Sequence, residues 1–132
     1  MIEAEAGMGK SRMIDELHRQ ADAMRVLTLA GTGDAVEQIT PYYAWRKVFL
    51  HILEQEGAHE SDAQRDWVLN RLGPNPAIRD RAPVLNAVMP MELPETDVSL
   101  QMTAQVRAET IRALCIQLLN SFIAGVPAAL MV

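Results

Sequence analysis

One cysteine, Cys115, stands in the 132 residues, so no internal disulfide framework can form. A lone thiol fits a reducing, cytoplasmic compartment. No apolar run approaches the roughly 18 residues of a membrane helix. Glu3 and Glu5 stand where a secretory leader carries basic side chains, so no signal peptide is expected. Basic charge is also short, with 12 Lys and Arg against 17 Asp and Glu and a net charge of −5. That balance argues against a domain held mainly by nucleic-acid phosphates. It leaves room for a local anion site, which backbone amides build without net charge. Internal repeats and low-complexity tracts are missing. His18, His51 and His59 are scattered without metal-ligand spacing, and no nucleophile has partners spaced for a triad.

What is present suits one globular domain, residues 1–132. Hydrophobic residues at 49% and charged residues at 22% are enough to form a core and a wet surface. Residues 11–24 read as an amphipathic helix, with Ile14, Leu17, Ala21 and Met24 on one stripe and Met13 beside it. Asp15 and Arg19 stand four apart on its wet side. VLTLAG, residues 26–31, is short, apolar and β-prone and reads as a buried strand. A helix followed by such a strand favours a parallel sheet.

Residues 32–40 read as a loop, and Pro41 opens a second helix with Trp45, Val48, Phe49, Ile52 and Leu53 inward. Ser61 and Gln64 predict a capping box for a third helix, with Trp67, Val68 and Leu72 inward and Gly73–Pro74 as its stop. Residues 77–88 predict a short helix interrupted by Pro83, and residues 89–97 a loop. A long helix follows over 102–124, with Ile111, Leu114, Cys115, Leu118, Leu119 and Phe122 on one face and Gly125 at its end. PAALMV, residues 127–132, reads as a second buried strand.

One stretch carries chemistry. Ala4-Glu5-Ala6-Gly7-Met8-Gly9-Lys10-Ser11 fits the phosphate-binding loop pattern, with alanine in place of the first glycine. Small residues let the backbone curl so that several N–H groups face one concavity. Gly9 allows close approach of a phosphate because no Cβ intrudes. A helix beginning near Lys10 turns its free N–H groups and positive dipole end to the same anion. Lys10 adds a point charge for the β- and γ-phosphates, and the Ser11 hydroxyl is a hard oxygen ligand for Mg²⁺. The candidate nucleotide-binding residues are Glu5, Ala6, Gly7, Met8, Gly9, Lys10, Ser11 and Arg12, with Ser11 on the metal. No catalytic residue is assigned. The blander reading is a glycine turn leading into an ordinary helix.

At this point the chain resembles a known family. MIEAEAGMGKSRMIDEL is similar to the Walker A segment of AAA-type ATPase modules in large bacterial signalling proteins. LAGTGDAVEQ followed by TPYYAWRKVF resembles the stretch after strand two in the Orc1-like AAA module of signal-transduction ATPases. PAALMV resembles the strand that leads into the Walker B acidic pair. The resemblance implies an α/β fold, a partial P-loop NTPase of the AAA-like class with a short parallel sheet and a helix-rich insertion, truncated at both ends. It implies ATP and Mg²⁺ as cofactors, ATP or ADP as partner, and attached output domains, a cyclase or a helix-turn-helix. It implies no membrane partner and no direct nucleic-acid contact by this segment. No acidic residue follows the last apolar run, so the resemblance implies a fragment without its own hydrolytic machinery. The family's strand order, 5-1-4-3-2, would leave a gap in the sheet. The expectation is a helix-rich chain with three short strands, marginal alone.

Other residues have two readings each. Tyr42, Tyr43 and Trp45 can stack on an adenine or begin an amphipathic helix on the core, and the second is favoured. Arg46 and Lys47 read as a solvated face rather than phosphate or partner contacts. Cys115, mid-stripe, reads as a small core residue. Two rival functions stand beside ATP binding. One is a P-loop small-molecule kinase, for which Arg79, Arg81, Arg107 and Arg112 are available but unpatterned. The other is a non-enzymatic helical interaction module over residues 41–124 with a vestigial loop.

Overall fold

The longest stretch of helical periodicity becomes the longest helix. The computed structural model describes residues 10–30, 42–89, 91–124 and 128–131; of residues 10, 11, 30 and 128–131 it describes the backbone. In chain order the elements are α1 (Lys10–Ala23), β1 (Leu27–Ala30), α2 (Tyr43–Gln55), α3 (Ser61–Leu72), α4 (Pro76–Arg79), a 3-10 segment (Ala82–Ala87), α5 (Asp97–Leu100), α6 (Ala104–Ile123) and β2 (Ala128–Met131). The predicted first strand at 1–3, the loop at 32–40, Pro41 as a helix opener and Gly125 as a helix stop all lie outside the described residues.

The α/β, AAA-like fold class expected from the sequence is corrected by this architecture. The described residues are mostly helical, and their β structure is one parallel ladder of two four-residue strands. Leu27 pairs with Ala128 and Ala30 with Met131 in that ladder. The physical reason is where the apolar surface goes. A parallel sheet of the expected kind needs strands buried on both faces. Here β1 supplies the core with Leu29, while the rest comes from α2, α3, the 3-10 segment, the stretch after it and α6. Helix-on-helix packing, not sheet coverage, organises the chain.

Each core helix has a sequence reason. Thr103 caps α6 by accepting a hydrogen bond from the Val106 N–H. The predicted face follows: Ile111, Leu114, Cys115, Leu118 and Leu119 are buried, with Phe122 half-buried. On α2, Val48, Phe49, Ile52 and Leu53 are buried as expected. For α3 the cap differs from expectation. Glu60, not Ser61, is the N-cap and lends no side-chain bond, while the Ser61 hydroxyl donates to the Met91 carbonyl at 3.4 Å. The tertiary bond to Met91 takes the hydroxyl away from the local cap. Gly73 ends α3 at φ 83, a left-handed angle that a side chain disfavours.

Polar ties close the irregular parts. The Asn86 amide donates to the Leu93 carbonyl at 2.8 Å and accepts from the Leu93 N–H at 3.0 Å. This clasp satisfies backbone where no ladder runs, and it lets Val88, Met89, Met91 and Leu93 turn inward. The Arg71 guanidinium donates to Glu56 at 3.0 Å and to the Ser121 carbonyl at 2.8 Å, and it stacks on the Trp67 ring 5.1 Å away. One side chain thereby joins the ends of α2, α3 and α6. Beyond α4, Thr96 and Ser99 form a capping box at α5. The buried Ser99 hydroxyl donates to Glu95, and Arg107 donates to the Ser99 carbonyl at 2.9 Å.

The sequence places Ile14, Leu17, Ala21 and Met24 on one apolar stripe of α1, with Met13 beside it. The structure buries Ala21 alone and leaves Met13, Ile14, Leu17 and Met24 exposed by 49%, 40%, 38% and 67%. The two short strands among the described residues do not cover this stripe. The expected Asp15–Arg19 pair is replaced by Glu16–Arg19 at 2.7 Å, three residues apart instead of four.

Two measurements check this packing. Phe49→Ala is expected to lower stability by about 3–5 kcal/mol, because it empties a fully buried site. Leu50→Ala, at a position 41% exposed on the same helix, should change it by under about 1 kcal/mol. Urea unfolding followed by circular dichroism distinguishes them. The second concerns pH. The Ser99 hydroxyl, helped by Arg107, holds the Glu95 carboxyl below its ordinary value of 4.5. The folded pKa is therefore lower than the unfolded one. Glu95 contributes its full stabilisation above 4.5 and loses it as pH falls toward the depressed value. Glu95→Gln should show a smaller loss of urea midpoint on acidification than the wild type.

Candidate functional site

Of the predicted nucleotide-binding residues, Glu5, Ala6, Gly7, Met8 and Gly9 lie outside the described residues. Lys10, Ser11 and Arg12 are the first three residues of α1, and Arg12 is exposed. The helix thus begins where the glycine-containing stretch ends. Its first turn holds no acidic residue. The positive end of the dipole is therefore not neutralised by a neighbouring carboxylate on the same turn. That is the fit an anion requires of this end of α1. Further along, the His18 ring meets the Thr28 hydroxyl at 3.2 Å, and with Ala21 this ties α1 to β1.

The aromatic residues at the start of α2 divide their roles. The Lys47 ammonium lies 4.7 Å from the Tyr43 ring centre. Trp45 is half-buried, its ring 6.5 Å from that of Phe49. Tyr42, the N-cap of α2, takes a left-handed backbone at φ 64. Arg46, expected on a solvated face, is instead half-buried and donates to the Ala87 carbonyl at 3.4 Å. Its long stem reaches from α2 to the last residue of the 3-10 segment.

Tyr42 and Trp45 also line a cavity of about 370 Å³ against α6. The opposite wall is Ala108, Ile111, Arg112, Cys115 and Ile116. These positions are three, four, seven and eight residues from Ala108, one continuous side of a helix. The sequence reading gave Cys115 a core role and counted Arg112 only among loose arginines. The helical spacing of 108, 111, 112, 115 and 116 was a signal that these share a face. Nothing in the sequence paired that face with the start of α2.

Burial pushes the Cys115 thiol up to about 12, so at neutral pH it is a neutral core group. Arg79 and Arg107, two of the arginines weighed for a kinase lid, are engaged in separate turns. Arg79 donates to the Gly73 carbonyl at 3.0 Å and Arg107 to that of Ser99 at 2.9 Å. Among the described residues, no group of three or more His, Cys, Asp or Glu side chains is arranged to hold a metal ion. No helix among them is long and apolar enough to cross a membrane. The chain matches no protein-family model, no curated protein and no solved structure.

Iodoacetamide tests the thiol. At about pH 8 the native chain should alkylate Cys115 far more slowly than the chain in denaturant, because little thiolate forms. Intact mass spectrometry over time reads both rates.

Proposed function

We propose that the chain binds a nucleoside triphosphate, with ATP as the ligand and Mg²⁺ as its counter-ion, through residues 5–12. The observation that carries the reading is local. A stretch of small residues and glycines runs directly into the N-terminus of α1 at Lys10, and that first turn carries no acid. Backbone amides from Glu5 to Ser11 would hold the phosphates, the Lys10 ammonium would add charge, and the Ser11 hydroxyl would ligate Mg²⁺. Mg²⁺ would neutralise phosphate charge. The reading rests on the residue types at 5–12 and on the start of α1, and it asks nothing of a sheet. A signalling ATPase with attached output domains, the class that the resemblance names, is part of the same proposal.

The mostly helical core favours a second reading, an interaction module over residues 41–124 for which the loop is vestigial. A titration with a fluorescent ATP analogue separates the two. Nucleotide binding predicts saturable, Mg²⁺-dependent binding that Lys10→Ala weakens by about tenfold or more. Undiminished binding by that variant overturns the assignment to residues 5–12. No binding by the wild-type chain favours the interaction module.

A further inference from the structure

The cavity between the start of α2 and α6 has a chemistry of its own. At about 370 Å³ it lies within the range of small-molecule sites, roughly 300–1,000 Å³. Its walls are apolar and aromatic: Trp45 and Tyr42 on one side, Ile111, Cys115 and Ile116 on the other. Two features give it one sign of charge. Arg112 lines it and has no hydrogen bond or ion pair among the described residues. Tyr42, the N-cap of the 13-residue helix α2, lends that helix no side-chain cap, so its positive end borders the same space. Among the described residues that line the cavity, none is acidic.

Tyr42 adds a separate observation. A left-handed backbone is uncommon for a residue with a bulky side chain, and such angles cluster at binding sites. Here the angle occurs at a residue whose side chain forms part of the cavity wall. Cys115, held neutral by burial, puts no negative charge into that wall.

We propose that this cavity is a binding site for a small aromatic monocarboxylate. The ring packs between Trp45 and Tyr42 on one wall and Ile111 and Ile116 on the other, where ring-to-ring contact adds to apolar burial. The carboxylate accepts from the Arg112 guanidinium, whose planar fork matches its two oxygens. A single guanidinium selects one charge rather than a polyphosphate. The site goes beyond the nucleotide reading and does not depend on it.

Calorimetric titration of the full chain with 2-naphthoate, and with 2-naphthamide as the neutral counterpart, tests the site. The expected result is saturable one-to-one binding of the acid, with the amide weaker by about tenfold or more. Arg112→Gln, at an exposed position, should weaken the acid by a similar factor and leave the amide unchanged, with an unaltered circular dichroism spectrum. Ile116→Trp, also at an exposed position, should fill the space and abolish binding of both. The proposal is overturned if the wild-type chain shows no saturable binding of the acid. Equal affinity for acid and amide overturns it, as does binding of the acid that Arg112→Gln leaves undiminished.

Discussion

Burial of one face of α6 is the constraint on which the rest of the fold depends. Twenty residues of helix span about 30 Å, long enough for α3 and the 3-10 segment both to lie along it. Leu118 is fully enclosed there, and Ile111, Leu114 and Cys115 continue the row. Burying side chains of this kind contributes about 1.5–3 kcal/mol each. The polar ties gather at the same place. Arg71 reaches the Ser121 carbonyl, and the Gln117 amide donates to the Leu72 carbonyl at 3.4 Å. Without the α6 face, α3 and the 3-10 segment would lose an apolar surface they share.

That helical body also explains the β structure. Parallel strands cannot be joined by a tight turn and need a long crossover. Everything from α2 to α6 is that crossover, and β1 meets α2 on one side and α1 on the other. The ladder is therefore an accessory of the helical core and not its organiser. Among the described residues the ladder is two strands wide, and α1 is tied to it chiefly by Ala21 and the His18–Thr28 contact. The proposed nucleotide segment runs into this helix, whereas the proposed carboxylate cavity is built into the packed body.

Much of the local structure was legible because it is governed by short-range rules. Period and punctuation placed α2, α3 and α6 and both described strands to within a few residues, since Val48, Phe49 and Ile52, or Leu114, Leu118 and Phe122, recur at helical spacing. The cap of α3 was misplaced because Ser61 had a long-range partner in Met91 that no local pattern reveals. The exposure of the apolar stripe of α1 was not legible, because periodicity shows which residues share a face, not whether anything covers it. The α/β fold class failed for a related reason. It followed from two β-prone segments and the family resemblance, whereas the larger apolar surface lay on helices. Of the candidate site, only the helix beginning near Lys10 can be compared, and the residue types at Lys10 and Ser11 had placed it there. The cavity was not legible, because it requires Tyr42 and Trp45 to meet a residue such as Arg112, some seventy positions away.

The sequence by itself determined the main helices, the inward faces of α2, α3 and α6, and the stop of α3 at Gly73. These depend on backbone sterics and on spacing between neighbours along the chain. Tertiary structure alone decided that helix packing outweighs the described strands, that the apolar stripe of α1 stays largely exposed, and that Tyr42 and Trp45 share a cavity with Arg112. Those outcomes depend on which surfaces meet. The meeting is set by the competition among all apolar faces for one core, a global balance that no local window of residues contains.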